Sequence, residues 1–355
     1  MKLVLTLRAR DEADVVDAQI AFHLNAGVDF VVATDHRSED GTTEILERYA
    51  REGYLHRIRE EGDEMHEGEW ATRMARLAAT EFGADWVIAS DADEFYWPRG
   101  GSLKEVLASV PERYGVVHAL LRQFVPRPDD AAFFADRMVA RLSGSAPIND
   151  PTSLFRPNLK AIHRGDAHVQ LSAGAHTLLD SRLVPLRGWY PVEFLHFPIR
   201  SFEQSERKYG NLRAALGESR NAYYDDVYRA RQEGRFRELY ESLTIADDAL
   251  EQGVREGSLV LDGRLRDALR ALRTDGAGFA LPDTNGSRLS FPRPTVVDEA
   301  AYAVDVAALG EADVVRAQRR LDTLEARLLT LERRPVARIY RKVAGLLRRD
   351  GTKTT

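Results

Sequence analysis

The first hundred residues alternate short apolar, β-prone runs with helix-length amphipathic stretches, and this alternation leaves few folds open. Residues 2–7, 28–33, 54–59 and 86–89 read as strands. Between them, residues 12–26, 42–51 and 69–82 place apolar side chains at helical spacing: Val15, Val16, Ile20, Phe22 and Leu24, then Ile45, Leu46 and Tyr49, then Trp70, Met74, Leu77 and Ala78. Gly27 supplies a C-cap, and the third helix ends near Gly83. Strands joined by helices through short turns run parallel, and charge-free strands are buried on both faces. The expected class is α/β, a Rossmann-like, mostly parallel central sheet with helices on both faces, followed by a helical C-terminal region.

The fourth strand runs into Ser90-Asp91-Ala92-Asp93-Glu94-Phe95. In extended backbone Asp91 and Asp93 share a face while the small Ala92 points the other way. Adjacent carboxylates repel unless a cation lies between them, and oxygen ligands suit Mg²⁺ or Mn²⁺. Open α/β sheets bind ligands at this end of their strands. A solvated acidic turn is the alternative, and for an isolated Asp-x-Asp, a motif common by chance, it is the favoured reading. Two further loops follow strands, residues 8–12 (Arg-Ala-Arg-Asp-Glu) and 35–42 (Asp-His-Arg-Ser-Glu-Asp-Gly-Thr). Asp35 is placed to accept hydrogen bonds from a base or ribose. Ser38, Asp40 and Gly41 tie the turn and cap the next helix, and plain turn chemistry also accounts for them.

The chain has 355 residues, 44% hydrophobic and 30% charged, enough for one large domain with accessories or two ordinary domains. A net charge of -6 argues against nucleic-acid binding. With no cysteine there are no disulfides and no thiolate metal site. The N-terminus is too short and too soon charged for a signal peptide, so the expected location is the cytoplasm.

Taken together, Arg-Asp-Glu after the first strand, Asp-x-x-Ser-x-Asp-Gly-Thr after the second and Asp-Ala-Asp-Glu-Phe after the fourth resemble GT-A glycosyltransferases. The likeness is to family 2-like bacterial enzymes and to family 92, whose acid motif also continues into Glu-Phe. The resemblance covers roughly the first hundred residues. It implies a UDP- or GDP-linked sugar lying across the strand ends, transferred to a hydroxyl of a carbohydrate or lipid-linked acceptor with inversion, in the manner of a hexosyltransferase of cell-envelope glycans. It also implies a donor-side set of Arg8, Asp11, Glu12, Asp35, Arg37, Ser38, Asp40, Arg73, Ala92, Arg200 and Lys208. Asp91 and Asp93 would hold Mn²⁺ or Mg²⁺ on the diphosphate, joined by a late histidine, His196. A phosphatase would need its Asp-x-Asp on the first strand, and a nucleotidyltransferase would need a glycine-rich loop after it; neither is present.

Residues 115–200 are read as the acceptor side of a domain spanning 1–200, with Glu94, His163 and His176 as its polar candidates and Asp150 as the candidate base. For each of these a structural role is the alternative. Residues 201–276 read as a helical region completing the site, and 277–310 as a linker. Residues 311–349 hold a coiled-coil-like helix with Val314, Ala317, Leu321, Leu324, Leu328 and Leu331 at heptad spacing. They continue into a basic amphipathic stretch, 336–349. These imply a homodimer through the coil and peripheral contact with the inner membrane face, against the alternative of a solvated or docked helix. The rival to an enzyme is an inactive nucleotide-sugar-binding or coiled-coil interaction protein.

Overall fold

The computed structural model describes residues 1–143, 158–179, 181–216, 222–275, 278–282 and 289–333. The chain divides into a large unit, Met1–Val306, and a second, Ala307–Thr355. The first runs β1 (Leu3–Ala9), α1 (Val16–Asn25), β2 (Phe30–His36), α2 (Thr42–Arg51), β3 (Leu55–Glu60), α3 (Glu67–Thr80), β4 (Trp86–Asp91), β5 (Glu94–Pro98), α4 (Leu103–Ala108) and β6 (Val116–Gln123). It continues through α5 (Phe134–Arg137), β7 (Ala140–Leu142), β8 (Leu159–Arg164), β9 (Gln170–Leu171), β10 (Leu178–Leu179) and β11 (Val192–His196). Four helices follow, α6 (Phe202–Leu216), α7 (Ala222–Gln232), α8 (Phe236–Leu243) and α9 (Asp247–Glu256), then β12 (Leu259–Leu261), α10 (Arg264–Leu272) and α11 (Val296–Arg333), whose residues from Ala307 on belong to the second unit.

Eight strands form the central sheet in the order β3-β2-β1-β4-β8-β6-β11-β5. The β3-β2-β1-β4 half is parallel throughout. Beyond it, β8 runs antiparallel to both neighbours, β11 parallel to β6, and β5 antiparallel to β11. Strand alternation sorts the core. Leu3, Leu5 and Leu7 join Phe22 and Leu103 on one face, whereas Val4, Val32, Val87 and Ala89 meet Met74, Ala75 and Ala78 of α3 on the other. Helices therefore cover both faces, and the chain is α/β as its alternation requires.

The connection from β4 to β5 fixes the shape of the sheet. Only Ala92 and Asp93 separate the two strands, so Asp91 and Glu94 lie within about 11 Å of each other. Yet three strands stand between β4 and β5 in the sheet order. The sheet must curl until its far edge returns to the end of β4, and the acid motif sits where it closes.

The stretch 277–310 is not all linker, because α11 begins at Val296. Thr295 and Asp298 cap it reciprocally: the Thr295 hydroxyl accepts from the Asp298 N–H (3.2 Å), and the Asp298 carboxylate accepts from the Thr295 N–H (2.8 Å). The sequence from 296 to 306 contains no Gly or Pro to break the helix. Among its described residues the region 201–276 forms α6 to α10, with β12 between α9 and α10 pairing with β7. In the second unit the described backbone is helical to Arg333, with Leu321 and Leu324 exposed. The basic stretch 336–349 lies outside the described residues.

Candidate active site

The acid motif meets its partners because strand ends converge on it. Arg8 ends β1 beside Asp91. At the closing edge, His196 pairs with Glu94 across β11 and β5, and with Gln123 across β11 and β6. Antiparallel β8 brings Lys160, near its beginning, to the same end. Six carboxylates (Glu12, Asp14, Glu67, Asp91, Asp93, Glu94) are interleaved there with Arg8, Lys160, Arg200 and Lys208.

Each acid has its own cations. Asp91 takes the Arg8 guanidinium on Oδ1 at 2.7 Å and the Lys160 ammonium on Oδ2 at 2.8 Å. Burial alone would raise its pKa, but these two cations hold it well below the usual carboxylate range. Lys160 also reaches Glu94 Oε2 at 2.7 Å, and the Asp91 N–H donates to that oxygen at 3.0 Å. Burial pushes Glu94 up to about 8, with Lys160 opposing the rise and the charges of Asp91 and Asp93 adding to it. Asp93 accepts from Lys208 on Oδ2 at 2.6 Å and has Arg200 at 3.8 Å and His196 Nε2 at 3.6 Å. Against its burial, these partners keep Asp93 ionised to low pH. Burial lowers His196 to about 4 in spite of Asp93. Its Nδ1 lies 2.9 Å from the Gln123 side-chain oxygen, so Nδ1 carries the proton and Nε2 turns a lone pair toward Asp93.

Arg200, 1% exposed, binds both Glu12 and Asp14 of the loop after β1. Burial raises Glu12 to about 7 against the pull of Arg200 and Lys208. Along α6, Lys208 reaches Asp93 and Asn211 reaches Asp11, so this helix lies over the ends of β1 and β4. The loops after β1 and β2 are stitched to each other. The Asp11 N–H donates to Ser38, Glu39 N–H to Asp11, Glu12 N–H to Thr42, and Ala13 N–H to Asp40.

The structure thus brings together Arg8, Glu12, Asp91, Asp93, Glu94, His196, Arg200 and Lys208, with Asp11, Ser38 and Asp40 in the adjoining loops. Ala92 is buried in the core beneath them. Asp35 is 2% exposed, and both its oxygens are engaged, Oδ1 by the Ser38 N–H and Oδ2 by Thr43 and Arg57. Arg37 pairs with Asp63, and Arg73 with Glu60 at the end of β3, outside the cluster. His163 lies apart from the cluster. It is fully buried opposite Val87 and Val116, toward the other end of the strands. His176 lies near the cluster, its Nδ1 2.9 Å from the Leu159 carbonyl, beside the turn that carries Gly174. Asp150 lies outside the described residues. Lys160, which falls within the stretch 115–200, and Asp14, Glu67 and Gln123 carry no sequence signal that singles them out, and they reach the cluster from distant parts of the chain.

Asp93, Glu94 and His196 each offer one atom, all within 4.8 Å of one another, a set that could hold a metal ion. The chemistry of these donors, two carboxyl groups and an imidazole, fits a hard divalent cation.

Residues 10–124, which carry the loop after β1, the turn after β2 and the whole acid motif, match the sequence profile of glycosyltransferase family 92. That segment is glycosyltransferase-like. A search of curated proteins finds no match. Among solved structures, S. aureus TarS 1–349 in complex with UDP-GlcNAc is similar at 14% identity over 90% of this chain and 92% of that one, with a TM-score of 0.34. Another TarS structure shares 16% identity over 66% of this chain and 43% of its own, TM-score 0.31. Glucosyl-3-phosphoglycerate synthase from Mycobacterium tuberculosis, in complex with Mn²⁺, UDP and glucosyl-3-phosphoglycerate, is 21% identical over 36% of this chain and 44% of that one, TM-score 0.24. At these identities and scores the likenesses assign neither substrate nor mechanism to the glycosyltransferase-like segment. Among the described residues no helix is long and apolar enough to cross a membrane.

Proposed function

We propose that the protein is a metal-assisted glycosyltransferase that moves a sugar from a UDP- or GDP-linked donor to a hydroxyl of a carbohydrate or lipid-linked acceptor. The observation that carries this reading is the convergence of Asp91, Asp93, Glu94 and His196 with Arg8, Lys160, Arg200 and Lys208 where the sheet closes on itself, inside the segment similar to glycosyltransferase family 92. Breaking a glycosyl–phosphate bond leaves a diphosphate with growing negative charge. Preorganised cations in a water-poor site stabilise such charge strongly. Bound Mn²⁺ or Mg²⁺ would supply Lewis-acid stabilisation of that leaving group. Arg200 and Lys208, held by the acids of the site, are the chain's own groups nearest to that task. Holding the acceptor hydroxyl in line supplies the remaining advantage.

Inversion remains part of the proposal and would require a base on the acceptor side, for which Asp150 is the sequence's candidate. Exposed Leu321 and Leu324 support a partnered face on α11 and hence the proposed homodimer. The proposed membrane contact rests on the composition of residues 336–349 alone.

The test is release of nucleoside diphosphate from a panel of UDP- and GDP-sugars in the presence and absence of Mn²⁺. Slow, metal-dependent cleavage of one donor is expected, reduced about 100-fold or more in Asp93→Ala, the scale of losing one preorganised charge-stabilising group. A protein that binds one of these donors yet turns over none is a nucleotide-sugar-binding protein instead.

A further inference from the structure

The two aspartates of the acid motif differ in what already surrounds them. Both oxygens of Asp91 are occupied, Oδ1 by Arg8 and Oδ2 by Lys160, and the Lys160 side chain is only 3% exposed. Arg8 is itself held from behind by Glu67 at 2.9 Å. The space beside Asp91, lined by Thr6, Arg8, Glu67, Ser90 and Lys160 among others, is a cavity of about 20 Å³. That is room for about one water. To ligate a metal, Asp91 would have to release a buried ammonium or guanidinium, leaving Lys160 with Glu94 alone or Arg8 with Glu67 alone.

Asp93 is different. Its Oδ2 takes Lys208, whose side chain is 32% exposed on α6 and also donates to the Pro198 carbonyl at 3.3 Å, with the buried Arg200 farther off at 3.8 Å. Its Oδ1 faces His196 Nε2 across 3.6 Å, and Glu94 lies close enough for the three to offer converging atoms. No described hydrogen bond engages Glu94 Oε1; Lys160 and the Asp91 N–H both use Oε2.

Resting on the metal-assisted reading above, we propose that the acid motif is split in function. Asp91 is a positioning residue, which fixes Arg8 and Lys160 and through Lys160 orients Glu94. The divalent cation is seated by Asp93, Glu94 and His196, and its entry displaces Lys208 from Asp93. Lys160 acts as a permanent internal cation where a symmetric Asp-x-Asp site would place the metal. Lys208 is the exchangeable one, released toward the diphosphate as the ion arrives.

Co²⁺ and Mn²⁺ are the probes, added to the full chain and to Asp91→Asn, Asp93→Asn and Lys208→Ala, with folding checked by thermal melting. The expected result is that Asp91→Asn keeps the Co²⁺ d–d band positions of the wild type and weakens binding by no more than about 10-fold, the lower range for residues outside the ligand shell. Asp93→Asn is expected to abolish the bands, and Lys208→Ala to bind Mn²⁺ more tightly than the wild type. Bands shifted or lost in Asp91→Asn as they are in Asp93→Asn would overturn the inference while leaving the proposed function intact. If Asp91→Asn does not fold, Lys208→Ala decides: Mn²⁺ affinity unchanged or weakened overturns the exchange of cations. A wild type that binds neither ion overturns this inference together with the metal-assisted reading.

Discussion

At the scale of single residues, the chain places ionisable groups in the interior only where their partners are fixed. His23 in α1 is fully buried, its Nδ1 2.7 Å from the Gln19 carbonyl and its Nε2 accepting from the Tyr96 N–H at 3.0 Å. This arrangement requires the neutral ring, and burial lowers its pKa to about 4. Because the folded form resists a proton that the unfolded chain accepts near 6.5, stability from this group is present above about pH 6.5 and is lost as the pH falls toward 4. Denaturation of wild type and His23→Gln from pH 7 to pH 4 should show the wild type losing ground in acid, by up to about 3 kcal/mol. Parallel curves would mean that His23 is protonated in the fold or open to water. The same scale shows what a sequence can disclose about a site. The period of a strand puts Asp91 and Asp93 on one side, and that much was legible. Arg200 and Lys208 stand in the donor-side set that the resemblance implies, but their pairing with Asp93 from beyond β11 and from α6, and that of Lys160 of β8 with Asp91, was not legible. Asp35, the strand-end acid placed for a nucleoside, also uses both oxygens on its own turn and on Arg57, contacts that no sequence pattern announces.

Among elements, β1 to β4 and the helices between them were readable because apolar periodicity and glycine stops agreed. Strand β8 was not, because it mixes Lys, His and Arg with apolar residues and pairs with strands distant in sequence. The seam between β8 and β4 depends on a close backbone approach that no pattern announces. A Cβ on Gly165 would stand 1.9 Å from the Ala84 carbonyl oxygen, while the Gly165 N–H donates to Asp85 at 2.9 Å. Gly165→Ala should therefore push the end of β8 off β4 and cost about 1–3 kcal/mol in a denaturant titration. An unchanged midpoint would show that this seam relaxes freely. The start of α11 was misread as linker since its Thr295–Asp298 capping pair lacks the usual Glu at the third position.

In the whole molecule, the curled sheet brings its distant segments onto a few buried charges. Glu193 of β11 receives Arg122 of β6 (2.5 Å), Arg264 of α10 and, at 3.5 Å, Arg99; Arg122 in turn holds Asp305 of α11. Against its burial these guanidinium groups hold Glu193 far below the usual carboxylate range. An acid depressed in this way stabilises the fold above its unfolded pKa and loses that contribution in acid. Glu193→Gln should cost about 3–5 kcal/mol near neutral pH, since it leaves buried arginines without their shared partner. The gap from the wild type should narrow below about pH 4. A difference under about 0.5 kcal/mol would mean that these arginines find other partners. The closure that creates both this network and the acid cluster was invisible beforehand, because nothing in the run from Asp91 to Phe95 says that its two strands lie at different places in one sheet.

The most direct test of the account is calorimetric titration of UDP and GDP, each with and without Mn²⁺, into the wild type and Asp93→Ala. One nucleotide is expected to bind only with the metal, and to fail to bind the variant. Binding of neither nucleotide under any metal condition would contradict the donor site and make the acid motif a structural joint of the curled sheet.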